Sequence, residues 1–93
     1  MTFKYDFGEE LEETLSKLQK KDKERVEIFF KKVEEIVSRD EITIDYYKNL
    51  KHDLKYYKRV HIDKSFVLIF RVFKKENFIL FEKLKHHDDI YKR

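Results

Sequence analysis

Residues 56–73 read YYKRVHIDKSFVLIFRVF, and the fold turns on this stretch. Its first arm, 56–62, alternates. Tyr57, Arg59 and His61 fall on one side while Lys58, Val60 and Ile62 fall on the other, because successive side chains of a strand point to opposite faces. One face therefore carries a phenol, a guanidinium and an imidazole together. The second arm, Phe66–Phe73, is almost wholly apolar, the pattern of a central strand covered on both faces. Asp63-Lys64-Ser65 joins the arms. The stretch predicts a β-hairpin at the centre of a sheet, with one polar stripe aimed outward.

On the C-terminal side, Lys74-Lys75-Glu76-Asn77 reads as a turn, with Asn77 suited to a left-handed conformation. Residues 78–84 then form the next strand, antiparallel to the hairpin's second arm, and residues 85–91 have the length of a single helical turn. On the N-terminal side, residues 39–55 are the least regular part of the chain. Ile42, Ile44 and Leu50 are isolated apolar anchors among Lys48, Lys51, His52 and Lys55, which predicts a basic loop or short helical turn crossing the sheet edge. Residues 23–38 carry Val26, Phe29, Phe30, Val33, Ile36 and Val37 at helical spacing, with Asp22 as the cap. Residues 8–19 carry Leu11, Leu15 and Leu18 on a second amphipathic helix, where Asp6 and Glu9 fit a capping box. Phe3, Tyr5 and Phe7 alternate as a short first strand. The order β-α-α-β-β-β predicts a single α+β domain over residues 1–93: a small twisted antiparallel sheet, an N-terminal helical hairpin packed on one face, and the other face at least partly open.

Of the 93 residues, 41% are hydrophobic, and nine Phe and six Tyr supply large pieces for a small core. The absence of Cys excludes disulfides and thiolate metal sites. No apolar run approaches the ~20 residues of a membrane helix, and MTFKYDFGEE lacks the apolar segment of a signal peptide. A cytoplasmic protein without a membrane partner is expected. The net charge of +3 is unevenly divided: residues 1–45 hold 9 Lys/Arg against 13 Asp/Glu, whereas residues 46–93 hold 13 against 6. A basic half on a small domain points to a polyanion, with Lys48, Lys51, Lys55, Lys58 and Arg59 as candidate phosphate contacts; a Lys-rich solvated surface has the same composition.

With one Gly in the chain, no phosphate-binding glycine loop exists. Asp88-Asp89 reads as a pair of solvated acids. The four histidines, His52, His61, His86 and His87, all lie in the basic half. They lack the close i, i+4 pairing of a metal helix, and the surrounding lysines repel a cation, so no metal site is expected. Acid–base chemistry on a phosphodiester fits the set better. Imidazole gains or loses a proton near neutrality, and Lys/Arg neutralise charge gathering on phosphoryl oxygens. Ordinary polar surface remains the competing reading for any single histidine.

The order of elements, together with several local patterns, resembles the RelE/ParE superfamily of bacterial and archaeal toxins, most closely its YafQ-like and RelE-like ribonuclease branches. The patterns are Lys48-Asn49-Leu50-Lys51, Tyr57-Lys58-Arg59-Val60-His61-Ile62, the strand from Phe66 to Val72, and the tail His86-His87-Asp88-Asp89-Ile90-Tyr91. The resemblance spans nearly the whole chain. It implies an mRNA-cleaving toxin that enters the ribosomal A site and is silenced by a cognate antitoxin, with no metal or organic cofactor. It further implies attack by the ribose 2′-OH on the adjacent phosphate. His61 is the general base, assisted by Lys48, and His87 is the acid, with His86 as the competing candidate. Arg59, with Lys83 or Lys58, holds the phosphorane charge, and Tyr91 is a catalytic or stacking aromatic. Lys51, His52, Lys55, Phe66 and Arg71 are further candidate RNA contacts. Four positions depart from the family: Lys48 replaces a histidine, Ser65 an aspartate, Val67 the arginine of the RelE branch and His52 a usual glycine. The ParE-type relatives, which bind DNA gyrase without cleaving nucleic acid, are the alternative.

Overall fold

The computed structural model describes residues 2–91, and the side chains of all of these except Asp53, Ile90 and Tyr91. Strand β2 (Lys58–Ile62) pairs antiparallel with β3 (Phe66–Phe73), and β3 pairs antiparallel with β4 (Phe78–His86). Asp63, in the hairpin turn, and Asn77, in the next turn, take φ of 50° and 53°, the left-handed values that tight turns demand. The sheet order is β1-β4-β3-β2, which leaves β3 as one of two inner strands.

Strand β1 (Lys4–Phe7) corrects one expectation. It joins β4 in parallel, so the sheet is mixed rather than wholly antiparallel. Backbone anchors at the start of β1 set this direction. The Thr2 and Phe3 amides donate to the Val37 carbonyl at 3.0 and 2.9 Å, and the Lys4 amide donates to the Asn77 carbonyl at 2.9 Å. The strand therefore begins beside the β3–β4 turn and can only run alongside β4.

Helices α1 (Glu9–Lys21) and α2 (Lys23–Val37) cover one face of the sheet. The capping box expected for α1 does not form. Gly8 takes the cap position, and the Asp6 carboxylate accepts instead from the Phe7 amide at 2.8 Å. Asp22 does cap α2, accepting from the Arg25 amide at 3.1 Å. Leu11, Phe29 and Val33 interlock with Ile62, Leu68, Phe70 and Phe81 of the sheet in one buried cluster. Phe30 belongs to the rim of this core rather than its interior. It is 44% exposed, with its ring against Phe29 and Phe7. Ile44 is fully buried, whereas Ile42, expected as an anchor, is 76% exposed because the Asp40 carboxylate caps a turn that swings it outward.

Residues 39–57 form two 3-10 turns, Thr43–Tyr46 and His52–Leu54, separated by a strip that lies along the outer edge of β2. A short helix, α3 (His87–Tyr91), ends the described chain. Among the described residues, no helix is long and apolar enough to cross a membrane.

An ion pair ties α2 to the hairpin turn: Arg25 Nε lies 2.8 Å from the Asp63 carboxylate, and its guanidinium covers the Phe66 ring at 4.8 Å. Burial alone pushes the Asp63 carboxyl up, but the Ser65 amide and Arg25 outweigh it and hold the group below the usual carboxylate range. The contribution is present above the unfolded carboxyl value and is lost as pH falls through the lower folded one. Asp63→Asn, which keeps an oxygen for the Ser65 amide, should lower stability by about 1 kcal/mol at pH 7. In urea titrations the gap from wild type should close under acid conditions. Leu68→Ala should cost ~2–5 kcal/mol at any pH, as expected for a fully buried leucine, and a loss well under 1 kcal/mol would place β3 outside the core.

Candidate active site

A β-bulge decides which residues of β4 reach the open face. Ile69 pairs with Lys83 but Phe70 pairs with Phe81, so Glu82 is the extra residue. Before it, odd-numbered Ile79 and Phe81 face the helices; after it, even-numbered Leu84 does. Lys83 and Lys85 are thereby turned away from the core. Arg71, at the same level of β3, closes an ion pair on the Glu82 carboxylate and lies over the Tyr57 ring at 5.4 Å.

On the open face, direct cross-strand partners stand side by side. His61, Val67 and Lys85 form one row, and Arg59, Ile69 and Lys83 form the next. The edge strip adds to this face. The Arg59 amide donates to the Lys48 carbonyl at 3.0 Å, and the Leu50 amide to the Tyr57 carbonyl at 2.8 Å, which sets Lys48 opposite Arg59 and Leu50 opposite Tyr57.

His87 opens α3. Its amide donates to the Ser65 carbonyl at 2.7 Å, folding the helical turn back over the sheet. The imidazole of His87 then stacks on that of His61, with centroids 5.4 Å apart and planes at 29°. His86 goes the other way. It is the last residue of β4, pairs with Phe66 on the helix-facing side, and meets that ring edge-on at 5.6 Å. Its Nδ1 accepts from the Asp88 amide at 3.3 Å. Two histidines adjacent in sequence thus serve opposite faces.

Beside the stacked pair lies a cleft of about 580 Å³. Leu50, Leu54, Tyr57 and Ile69 give it an apolar floor, and Lys51, Arg59, Lys83 and Lys85 give it positive walls. Asp89 contributes a carboxylate at the α3 end, and Glu10 of α1 holds Lys85 at 3.3 Å. The size and lining suit an organic anion with a flat apolar part. Among the described residues, no group of three His, Cys, Asp or Glu is disposed to hold a metal ion.

Several expected site residues stand elsewhere. Lys58 is a structural lysine, 7% exposed. Its ammonium donates to the Tyr47 carbonyl at 3.0 Å and the Asn49 side chain at 2.8 Å, and lies 3.3 Å from the Asp45 carboxylate. The alternation that aims Arg59 outward aims Lys58 inward. Phe66 and His86 likewise face the helices rather than the cleft. His52 and Lys55 lie on the exposed strip, where His52 has φ 60°, a left-handed value that glycine adopts more readily than other residues. Tyr91 belongs to α3, but its side chain lies outside the described residues. Lys85 and Asp89 were not anticipated as cleft residues. A period-two count from Lys83 would have found Lys85.

The strip is braced from behind. Tyr47 donates to the Glu35 carboxylate, which holds that carboxyl below the usual range, while burial and the same carboxylate push the Tyr47 hydroxyl up. Lys74 chiefly, with Lys58, keeps the Asp45 carboxyl low against a burial effect that opposes them.

No family model matches the chain. A protein of Methanocaldococcus jannaschii named as a toxin, RelE4, is 46% identical over 83 residues, spanning 89% of this chain and 84% of that protein. Among solved structures, a metal-bound toxin from Helicobacter pylori superimposes with a TM-score of 0.76 at 20% identity, covering 96% of this chain and 99% of that one. The YoeB dimer from Staphylococcus aureus gives a TM-score of 0.73 at 20% identity, with 94% and 99% covered. YafQ in the E. coli DinJ–YafQ toxin–antitoxin complex gives 0.65 at 14% identity, with 98% and 99% covered. The superpositions show a shared fold, and the RelE4 relative, matched over most of both chains, carries the assignment further: the chain belongs to the RelE toxin family.

Proposed function

We propose that this chain is the toxin of a type II toxin–antitoxin pair and that it cleaves mRNA in the ribosomal A site. The observation that carries the reading is the stacked His61–His87 pair beside a cationic, apolar-floored cleft. Two imidazoles side by side can serve the entering and the leaving oxygen of one phosphate. His61 takes the proton of the ribose 2′-OH as that oxygen attacks phosphorus. His87 returns a proton to the departing 5′ oxygen. Arg59 and Lys83, neighbours across β3, balance the charge that builds on the phosphorane oxygens. Lys48, opposite Arg59, adds a cation on the side of the general base. The apolar floor receives a base, and the products are a 2′,3′-cyclic phosphate and a 5′-OH. No step draws on a metal ion. His87 is favoured over His86 as the acid because its ring lies on that of His61. A cognate antitoxin as partner is supported by the family and by the DinJ–YafQ complex of a protein with this fold.

Primer-extension mapping of a reporter mRNA translated on ribosomes tests the chemistry. His61→Ala and His87→Ala should each slow cleavage by ~10²–10⁴, with the double variant short of the product of the two because the groups act as a unit. His86→Ala should cost far less. A double variant that still arrests growth like wild type would turn the reading toward gyrase binding or simple occlusion.

The two classes of lysine separate in a second measurement. Lys83→Met should lower the dependence of log K on log salt for single-stranded RNA by ~0.7 while leaving stability nearly unchanged. Lys58→Met should do the opposite, costing ~1–3 kcal/mol by stranding the acceptors around its ammonium with no change in the salt slope.

A further inference from the structure

We propose that the RNA strand continues past the cleft, over the β2 edge, into a second groove where a base stacks on Tyr56; this rests on the ribonuclease reading above. The second groove measures about 370 Å³ and is lined in part by Asn49, Lys55, Tyr56, Lys74 and Lys75. Asn49 lines both hollows, so they meet at the strip beside β2. Lys51 lines the first hollow and Lys55 the second, with the turn His52–Leu54 between them, and Lys51, His52 and Lys55 are all exposed. A strand passing from one hollow to the other therefore has Lys51 at one end of the crossing and Lys55 at the other.

The groove itself fits a nucleotide. Four lysines line it, Lys55, Lys58, Lys74 and Lys75, against the two carboxylates of Asp45 and Glu76, a surplus of two positive charges. Lys58 and Lys74 are occupied with Asp45, at 3.3 and 2.6 Å, so Lys55 and Lys75 carry the charge available to a phosphate. Tyr56 is 72% exposed, with the Lys55 ammonium 5.3 Å from its ring centroid. A large aromatic ring held in the open beside a cation is the element on which single strands stack, since every base has a π face and a phosphate. An acidic peptide would satisfy the charge but would leave the ring without a flat partner.

Fluorescence anisotropy with 2′-O-methyl RNA, which binds without being cleaved, tests the extended track using oligomers of about 4 and about 12 nucleotides, a span chosen from the few nucleotides one such platform covers. The longer oligomer should bind wild type at least ~10-fold more tightly. Tyr56→Ala should weaken the longer oligomer by roughly 5- to 100-fold and leave the shorter one unchanged, with Tyr56→Phe close to wild type. Lys75→Gln should lower the salt slope by ~0.7 for the longer oligomer alone. Equal losses at both lengths, or no loss, overturn the second groove. So does displacement by oligoglutamate in preference to RNA of equal charge. Cleavage of ribosome-bound message by wild type is measured in parallel. Its absence would sink the ribonuclease reading, whereas intact cleavage with no length dependence would sink only the groove. A Tyr56→Ala variant slow on ribosomes but normal toward both oligomers would assign Tyr56 to ribosomal RNA, against the proposal.

Discussion

One extra residue in β4 sets the chemistry of the open face. A regular strand would hold Phe81 and Lys83 on the same side, since they are two apart. Either the lysine would enter the core or the phenylalanine would leave it. The bulge at Glu82 resolves the conflict by changing phase between them, and Arg71 satisfies the carboxylate of the extra residue. The consequences continue to the end of the strand. Leu84 returns to the core, Lys85 joins the His61 row, His86 turns to Phe66, and His87 becomes the residue able to reach His61. Without the phase change, the histidine at the site and the histidine behind the sheet would exchange faces.

The second wall of the cleft depends on a buried ammonium. The strip at residues 48–50 has little apolar surface and would gain little by docking alone. Lys58 gathers it by collecting the Tyr47 carbonyl, the Asn49 side chain and the Asp45 carboxylate, and Tyr47 fastens the same segment to α2 through Glu35. Partly buried polar ties of this kind add modest net stability but fix one geometry strongly, because leaving any member unpaired is costly. Placement of Lys48, Leu50 and Lys51 around Arg59 is what they fix.

Much of this was legible in the sequence. The alternation in residues 56–62 separated Arg59 and His61 from Lys58 correctly, and the apolar run Phe66–Phe73 identified an inner strand with matching bounds. The Asp22 cap and the left-handed Asn77 followed from local chemistry. What escaped was set by distant contacts. The direction of β1 depends on Val37 and Asn77, far along the chain. The burial of Lys58 depends on a strip whose own pattern is irregular. The bulge at Glu82 leaves no mark in composition, so the facing of Lys85, His86 and His87 could not be counted from the start of the strand. Phe30 fitted the helical stripe of α2, yet it ends at the rim, against Phe7 of the edge strand β1.

The parallel pairing of β1 with β4 also orders events in time. Lys4 has its partner at Phe78, so the first strand cannot complete its hydrogen bonds until residues 78–81 are available. Pairings of such wide sequence separation form late, because loop closure precedes any gain from the contact. During synthesis the helical hairpin leaves the ribosome before β2, β3 and β4, with its apolar stripe waiting for a sheet. His87, which follows β4, comes later still, and its ring reaches His61 only after the sheet has closed. The histidine pair is therefore assembled only once β2, β3 and β4 have paired.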